Sequence, residues 1–380
     1  MRLYEYEGAE LFRRESIPVP DYALITSPEE AKQKAQEIGL PVVLKAQVLT
    51  GGRYLAGGVN SAATLEDVER SATRILGSSV RGFPVQRLMV ARKVQVEREY
   101  YLAITLDDYH GVPVAILSAE GGVSINATAL ERPEVLVSRP LVVSVGLRRA
   151  AAFIMCQQAG LNRYEQEGIA PVLLSLYQLF RKYDALIAEI NPLVKTAEGD
   201  FVALDSKVEI DDSSLYRHKD LNFNLIDRTL NPLERKGREI GVTYVDLDGD
   251  IALISSGAGL GMASMDIISR TMKPANFLET GGAITEDLLY KVTGLVLQKP
   301  GIKALFINVY GGINPIHEGA KGVVHYLKEH DIKIPVVAKA LGNHQEETWE
   351  IFRANGVHVV DDVSTEKGIE IVGRLLESVS

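Results

Sequence analysis

Glu189, Asn191 and Asp205 are three oxygen-bearing side chains set among apolar neighbours, in the segments AEINPLV (188–194) and LDSK (204–207). Residues two apart on a strand share a face, so Glu189 and Asn191 point the same way. A turn at Ala197, Glu198, Gly199 and Asp200 brings the chain back with Asp205 nearly opposite Asn191 and Lys207 nearby. Carboxylate and amide oxygens converging on one face are the ligand set of a hard cation such as Mg²⁺. The bland alternative is an exposed sheet face of solvated polar residues. A second group lies upstream. Lys45 sits inside the apolar run PVVLKAQV (41–48). A buried lysine is costly unless it meets an anion, although a lysine at a strand edge can also reach water. The glycine-rich TGGRYLAGG (50–58) follows, offering backbone N–H groups and Arg53 to phosphate oxygens. Alone it could be a hairpin turn. Together, Lys45, Glu189, Asn191 and Asp205 predict a Mg-nucleotide site in the N-terminal half.

The elements that must position these residues follow from periodicity. The pattern predicts a helix over 28–38, a buried strand over 41–48 and an antiparallel pair over 96–106 and 112–118. Helical stretches fill 147–183, and a hairpin runs over 186–195 and 201–209. The polar, weakly periodic stretch 221–242 reads as a linker with one short helix. Beyond it, apolar strands at 250–255, 276–280, 302–309, 334–340 and 357–360 alternate with helical patterns. Fully apolar strands alternating with amphipathic helices imply a parallel, doubly wound sheet. Four of these strands run into glycines: SGAGLG at 256–261, Gly281–Gly282, Gly311–Gly312 and Gly342. In such sheets ligands sit beyond the carboxyl ends of the strands, so the four loops are expected to cluster. Thr285 is placed to cap one helix, and Asn314 another with Pro315 at its first position. The expected domains are 1–235 and 243–380.

Composition bounds the function. A chain of 380 residues suits two domains. Hydrophobic residues at 46% and charged residues at 24% are ordinary for a globular protein. A net charge of −9 argues against nucleic acid as a partner. Cys156 is the one cysteine, which excludes an internal disulfide framework and a thiolate zinc site, and fits a reducing cytoplasm. The first residues, MRLYEYEGAELF, lack the apolar core of a signal peptide, and no apolar run approaches the roughly 20 residues of a membrane span.

The segments KAQV, GGR, AGG, EREYY, EGGV, AEINPLV and LDSK, followed by GAGL, PANFL and INVYGGI, run in order along nearly the whole chain. In this order they resemble the β subunits of succinyl-CoA synthetase, within the ADP- or GDP-forming acid–CoA ligases. The resemblance implies an α/β protein with an N-terminal ATP-grasp domain followed by a flavodoxin-like doubly wound domain. It implies that Lys45 and Arg53 contact the phosphates of ATP or GTP, with Gly52, Tyr54 and Glu99 at the nucleotide site. Asn191 and Asp205 would hold Mg²⁺. Glu189 would face a phosphohistidine as it delivers or collects the phosphoryl group. Ser256, Gly311, Gly312 and Ile313 would line the site of a small carboxylic acid. The resemblance also implies an α subunit, carrying the CoA site and the phosphorylated histidine, in an αβ or (αβ)₂ complex in the cytoplasm. The amino termini of the helices after SGAGLG and after Gly311–Gly312 would add positive potential there.

The chain departs from the family pattern in informative places. Where the family has Gly-Arg-Gly-Lys in the nucleotide loop, this chain has Gly52, Arg53, Tyr54 and Leu55. The Asn before GAGL is Ser256; Gly-Gly-Gly-Ala is Gly281, Gly282, Ala283 and Ile284; an Arg-Cys-Asp-like stretch is Pro315, Ile316 and His317. These changes fall on the expected acid-binding edge, while the Mg²⁺ residues are kept. The expected product is succinyl-CoA or the CoA ester of a related acid, and the pattern suggests a different acid more than a dead enzyme, with malate, citrate, a sulfonated short acid or another dicarboxylate as the alternatives. His317 reads better as a pocket-shaping residue at a helix start than as a resident phosphohistidine. Two competing functions are a carboxylate–amine ligase and a non-catalytic nucleotide-sensing subunit. The four glycine loops argue against the first and the complete site against the second.

Overall fold

The computed structural model describes residues 1–122, 131–221, 228–229 and 231–379. The chain forms two compact units, Met1–Asn222 and Phe223–Ser380.

In the first unit, α1 (Glu5–Arg14) is followed by β1 (Tyr22–Ile25), α2 (Pro28–Ile38), β2 (Val42–Ala46), β3 (Val59–Ala62) and α3 (Leu65–Ile75). Ser27 and Thr64 start the two later helices by accepting the Glu30 and Asp67 N–H groups. A short hairpin of β4 (Ser79–Val80) and β5 (Phe83–Pro84) leads into β6 (Leu88–Arg92). The four-stranded sheet has the order β1-β6-β2-β3. Val42, Leu44 and Ala46 bury one face of β2 against Ala31, Ala35, Val68 and Ala72 of the two helices. Lys45 therefore points to the other face.

The second sheet of this unit holds β7 (Val96–Asp107), β8 (Val112–Ser118), β9 (Leu136–Pro140), β10 (Ala185–Thr196), β11 (Phe201–Ala203) and β12 (Lys207–Ile210). Its order is β11-β10-β7-β8-β9, with β12 also paired to β10. Helices α4 (Arg149–Gln158) and α5 (Arg163–Lys182) fill the predicted helical stretch, and α5 packs on β10 and β7. The return strand of the expected hairpin is two pieces, β11 and β12, and Asp205 sits in the gap between them.

In the second unit, α6 (Pro232–Ile240) precedes β13 (Thr243–Asp246), β14 (Ile251–Ser255), α7 (Ala258–Ile268), β15 (Asn276–Glu279), α8 (Glu286–Leu297) and β16 (Ala304–Gly311). Then come α9 (Ile316–Glu329), β17 (Val336–Gly342), α10 (Gln345–Arg353), β18 (His358–Val360) and α11 (Thr365–Val379). The sheet order is β13-β15-β14-β16-β17-β18. Its five parallel strands therefore follow the flavodoxin-like order 2-1-3-4-5. Both faces are covered: Ala252 and Ile254 enter one core, Ile251 and Leu253 the other.

Three expectations need correction. The first unit ends at Asn222, short of the expected 235, because α6 packs on α8 and β13 of the second unit. The early part of the expected linker, 222–227, lies outside the described residues. The sheet is not wholly parallel: Thr243–Asp246 forms an antiparallel edge strand on β15. Finally, α9 begins at Ile316 with Pro315 as its cap residue and no side-chain cap, so Asn314 does not play that part. Thr285 does cap α8, accepting from Leu288 N.

Candidate functional site

Strand β2 projects Lys45 away from the core, where its ammonium donates to Glu5 Oε1 at 2.8 Å and to the Leu204 carbonyl. Arg53, from the loop after β2, lies 2.6 Å from Glu5 Oε2 and 2.9 Å from Asp205 Oδ1, and donates to the Ala46 carbonyl. Burial pushes the Glu5 carboxyl up, but Arg53 and Lys45 outweigh it and hold it down at about 2. Burial also weakens the Arg53 charge, and Asp205 and Glu5 more than compensate, so the guanidinium stays firmly protonated. Two cations are thus paired with two carboxylates. That arrangement can hand the cations to phosphate oxygens.

The glycine-rich loop over 50–58 is otherwise largely exposed. Gly52 has φ +68, and a Cβ there would lie 2.8 Å from Arg81 Nη2. Arg81 is therefore a third cation beside the loop, and nothing in the local sequence singled it out. Tyr54 and Leu55 are 65% and 71% exposed, and the loop leaves Tyr54 in solvent rather than against Lys45.

Across the hairpin, Leu193 pairs with Ala203 and Glu189 with Lys207. Asn191 and Asp205 lie between these two pairs in the same register, opposite each other as expected. Asn191 Oδ1 accepts the Gly122 N–H at 2.8 Å. Gly122 has φ +91, and a Cβ there would come within 2.3 Å of Glu99 Oε2. The EGG turn thus joins Asn191 to Glu99, and glycine is required by both its backbone and its close approach. Glu189 lies 3.3 Å from Lys207 Nζ. Burial raises the Tyr101 hydroxyl pKa, and Glu189 raises it further.

The donor set suits Mg²⁺. Asp205 Oδ1 accepts from Ser206 N and Arg53, and among the described residues Oδ2 has no protein donor. One free carboxylate oxygen and one amide oxygen, both partly exposed, are hard ligands on a hairpin held by its ladder.

In the second unit the four glycine loops meet at the carboxyl edge of the sheet. Tyr310 N donates to Ser256 Oγ at 2.9 Å, and Thr280 N donates to the Ser255 carbonyl. A Cβ on Gly282 would be 3.6 Å from Asn314 Nδ2. Asn343 N donates to the Gly311 carbonyl at 2.7 Å, and Asn343 Nδ2 to the Ile313 carbonyl at 3.0 Å. Ser256, Gly311, Gly312 and Ile313 are thus brought to one edge, with Ile313 89% exposed at its tip. A recess of about 900 Å³ in this unit is lined by Asp250, Ile302 and Pro335 at the amino ends of the strands, the opposite edge from these loops.

Glu5 is the principal residue that the sequence did not disclose. Its only local signal is an acidic residue on the buried side of an amphipathic helix, between Leu3 and Ala9.

Comparison with known proteins agrees with both halves. An ATP-grasp domain family matches residues 2–195, and a CoA-ligase family matches 254–370. The chain is 41% identical over 360 residues to the GDP-forming succinate–CoA ligase β subunit of Thermus thermophilus, covering 94% of this chain and 95% of that one. It is 36% identical over 364 residues to the ADP-forming β subunit of Ignicoccus hospitalis, covering 96% of each. A structure of ATP citrate lyase from Methanothrix soehngenii, in complex with citrate and coenzyme A, aligns with a TM-score of 0.79 at 18% identity over 99% of both chains, a likeness of fold. With an ATP-grasp unit leading into a CoA-ligase unit, and relatives alike over almost their whole length, this chain belongs to the family of succinate–CoA ligase β subunits.

Proposed function

We propose that this chain is the nucleotide-binding β subunit of an NDP-forming acid–CoA ligase, and that it acts with an α subunit. The observation that carries this reading is the pair Lys45 and Arg53, ion-paired with Glu5 and Asp205 beside the Asn191–Gly122 contact. The overall reaction converts acid, CoA and ATP or GTP to acyl-CoA, NDP and phosphate. A carboxylate is a poor electrophile, and its phosphorylation supplies a good leaving group. Phosphoryl transfer is mostly positioning and charge neutralisation.

Lys45 and Arg53 leave their carboxylates for the nucleotide phosphates, with Gly52, Tyr54 and Glu99 completing that site. Asn191 and Asp205 would hold Mg²⁺, which would supply charge neutralisation for the phosphates. Glu189 faces the histidine of the α subunit that carries the phosphoryl group, and that subunit also binds CoA. Ser256, Gly311, Gly312 and Ile313 line the acid site. Succinate is the acid named for the relatives. The Ser256 hydroxyl, Gly281–Ile284 and Pro315–His317 favour another short acid, such as malate, citrate or a sulfonated acid. The complex is αβ or (αβ)₂ and cytoplasmic. Among the described residues no helix is long and apolar enough to cross a membrane.

The test is a coupled assay of the chain co-expressed with its α-type partner, screening short acids for CoA-dependent ADP or GDP release. Absence of CoA dependence would sink the ligase reading. Fastest turnover on succinate would sink the altered-acid reading alone. Full activity with Asn191→Ala and Asp205→Ala combined would leave a nucleotide-sensing role instead.

A further inference from the structure

We propose that His317, His344 and Glu347 form a binding site for a divalent transition-metal ion at the carboxyl edge of the second unit's sheet. The three residues come from the loops and helix starts after β16 and β17. One ligand atom from each lies within 4.8 Å of the other two. His344 Nδ1 is 3.2 Å from Glu347 Oε2, and His317 Nε2 is 3.9 Å from Glu347 Oε1. Ligands on a tetrahedral ion at about 2.1 Å are about 3.4 Å apart, so small side-chain rotations close the set.

Three features separate this cluster from ordinary surface ion pairs. First, the two imidazole rings lie 4.6 Å apart, centre to centre. Rings at that distance can turn one nitrogen each toward a shared cation. Second, the His317 side chain is only 13% exposed, so packing holds its ring in place while Nε2 faces Glu347. Third, the scaffold is fixed. His344 holds φ +60, a conformation rare for a residue with a side chain. Gly342 has φ +111, and a Cβ there would lie 2.2 Å from the Gly311 carbonyl oxygen. Ile316 N donates to the Asn343 carbonyl, which ties the two loops together.

The donor types define the ion. Two imidazoles and one carboxylate suit Zn²⁺, Co²⁺ or Ni²⁺ rather than Mg²⁺. Glu318 lies 2.9 Å from His317 Nε2 but is held by Lys321 at 2.6 Å. It therefore serves as a neighbour of the ligand set, and the fourth position is left to water. An anion is disfavoured here, because Glu318 and Glu347 both face the rings.

The experiment titrates the full chain with Co²⁺, read by its visible ligand-field bands, followed by displacement with Zn²⁺. Excess Mg²⁺ is present throughout, so that all-oxygen sites are filled. The expected result is one saturable Co²⁺ site, weakened at least about tenfold by His344→Ala, His317→Ala or Glu347→Gln. Mg-nucleotide binding should not change. If His317→Ala unfolds because its ring is buried, His344→Ala, whose ring is 48% exposed, carries the test. Absence of a saturable site would overturn the proposal, as would Co²⁺ binding that survives His344→Ala. The readout is the metal alone, so it stands apart from the acid–CoA ligase reading.

Discussion

Glu5 and Asp205 share the cations Lys45 and Arg53 in a buried cluster. Removing one partner of such a cluster leaves a buried charge uncompensated. Lys45→Ala and Arg53→Ala are therefore expected to lower nucleotide-dependent turnover by roughly 100-fold or more, read as kcat and KM for ATP and GTP in the coupled assay. Glu5 also makes a prediction about pH. In the folded protein its carboxyl stays ionised down to about 2, against an ordinary value of 4.5. Between these values the unfolded chain binds a proton that the folded chain does not. Stability contributed by Glu5 is therefore present above about 4.5 and is lost as pH falls toward about 2. Thermal melts from pH 6 to 3 should show an acid-side loss that is shallower in Glu5→Gln, which starts from a lower melting temperature. An identical slope in the two proteins would count against the role of Glu5.

The loops that place these side chains rest on glycines that nothing else can replace. At Gly122 an added Cβ would meet Glu99 Oε2 at 2.3 Å, on a backbone with φ +91. Gly122→Ala is expected to cost about 1–3 kcal/mol locally and to raise the KM for nucleotide, because the turn also supplies the N–H that holds Asn191. Urea melts and kinetics of this variant separate the two effects. In the second unit, α9 starts without a side-chain cap and α7 starts at Gly257, also uncapped. Both helix starts lie at the edge where Ser256 and Gly311 meet. Uncapped helix starts are suited to an anionic group. Ser256→Asn, which restores the family's residue, is expected to shift acid preference toward succinate in the coupled assay, with the KM for nucleotide unchanged.

For the whole molecule, the two units have separate hydrophobic cores. A ligand bound by one unit stabilises the fold by mass action, about 2.7 kcal/mol at a hundredfold excess over Kd. Mg-ATP or Mg-GTP is expected to raise the melting temperature of the first unit by roughly 5 °C, and EDTA should remove most of that shift. Asp205→Ala should behave in the presence of Mg²⁺ as the parent does in EDTA. The α subunit enters at this scale too: turnover should require it, and mixing the two chains should give a complex on size exclusion that neither chain forms alone.

How much of this was legible depends on the sequence distance of each contact. The hairpin was, because its register follows from strand periodicity and one turn, and Asn191 faces Asp205 as counted. The five parallel strands were, because apolar runs between glycine loops have one economical packing. Edge strand 243–246 was not, because its four residues bury only Tyr244 and owe their pairing to β15. Glu5 meets Lys45 forty residues away in sequence, and Arg53 meets Asp205 across a separation of 152. No local pattern encodes such contacts. The same holds for Gly122 against Asn191, and for His317 beside His344. The sequence by itself determined the family, the element order and the chemical types available: cations, hard oxygen ligands and glycine loops. Only the tertiary structure decided which carboxylates hold the cations and which histidines meet, because these depend on chain segments brought together by packing.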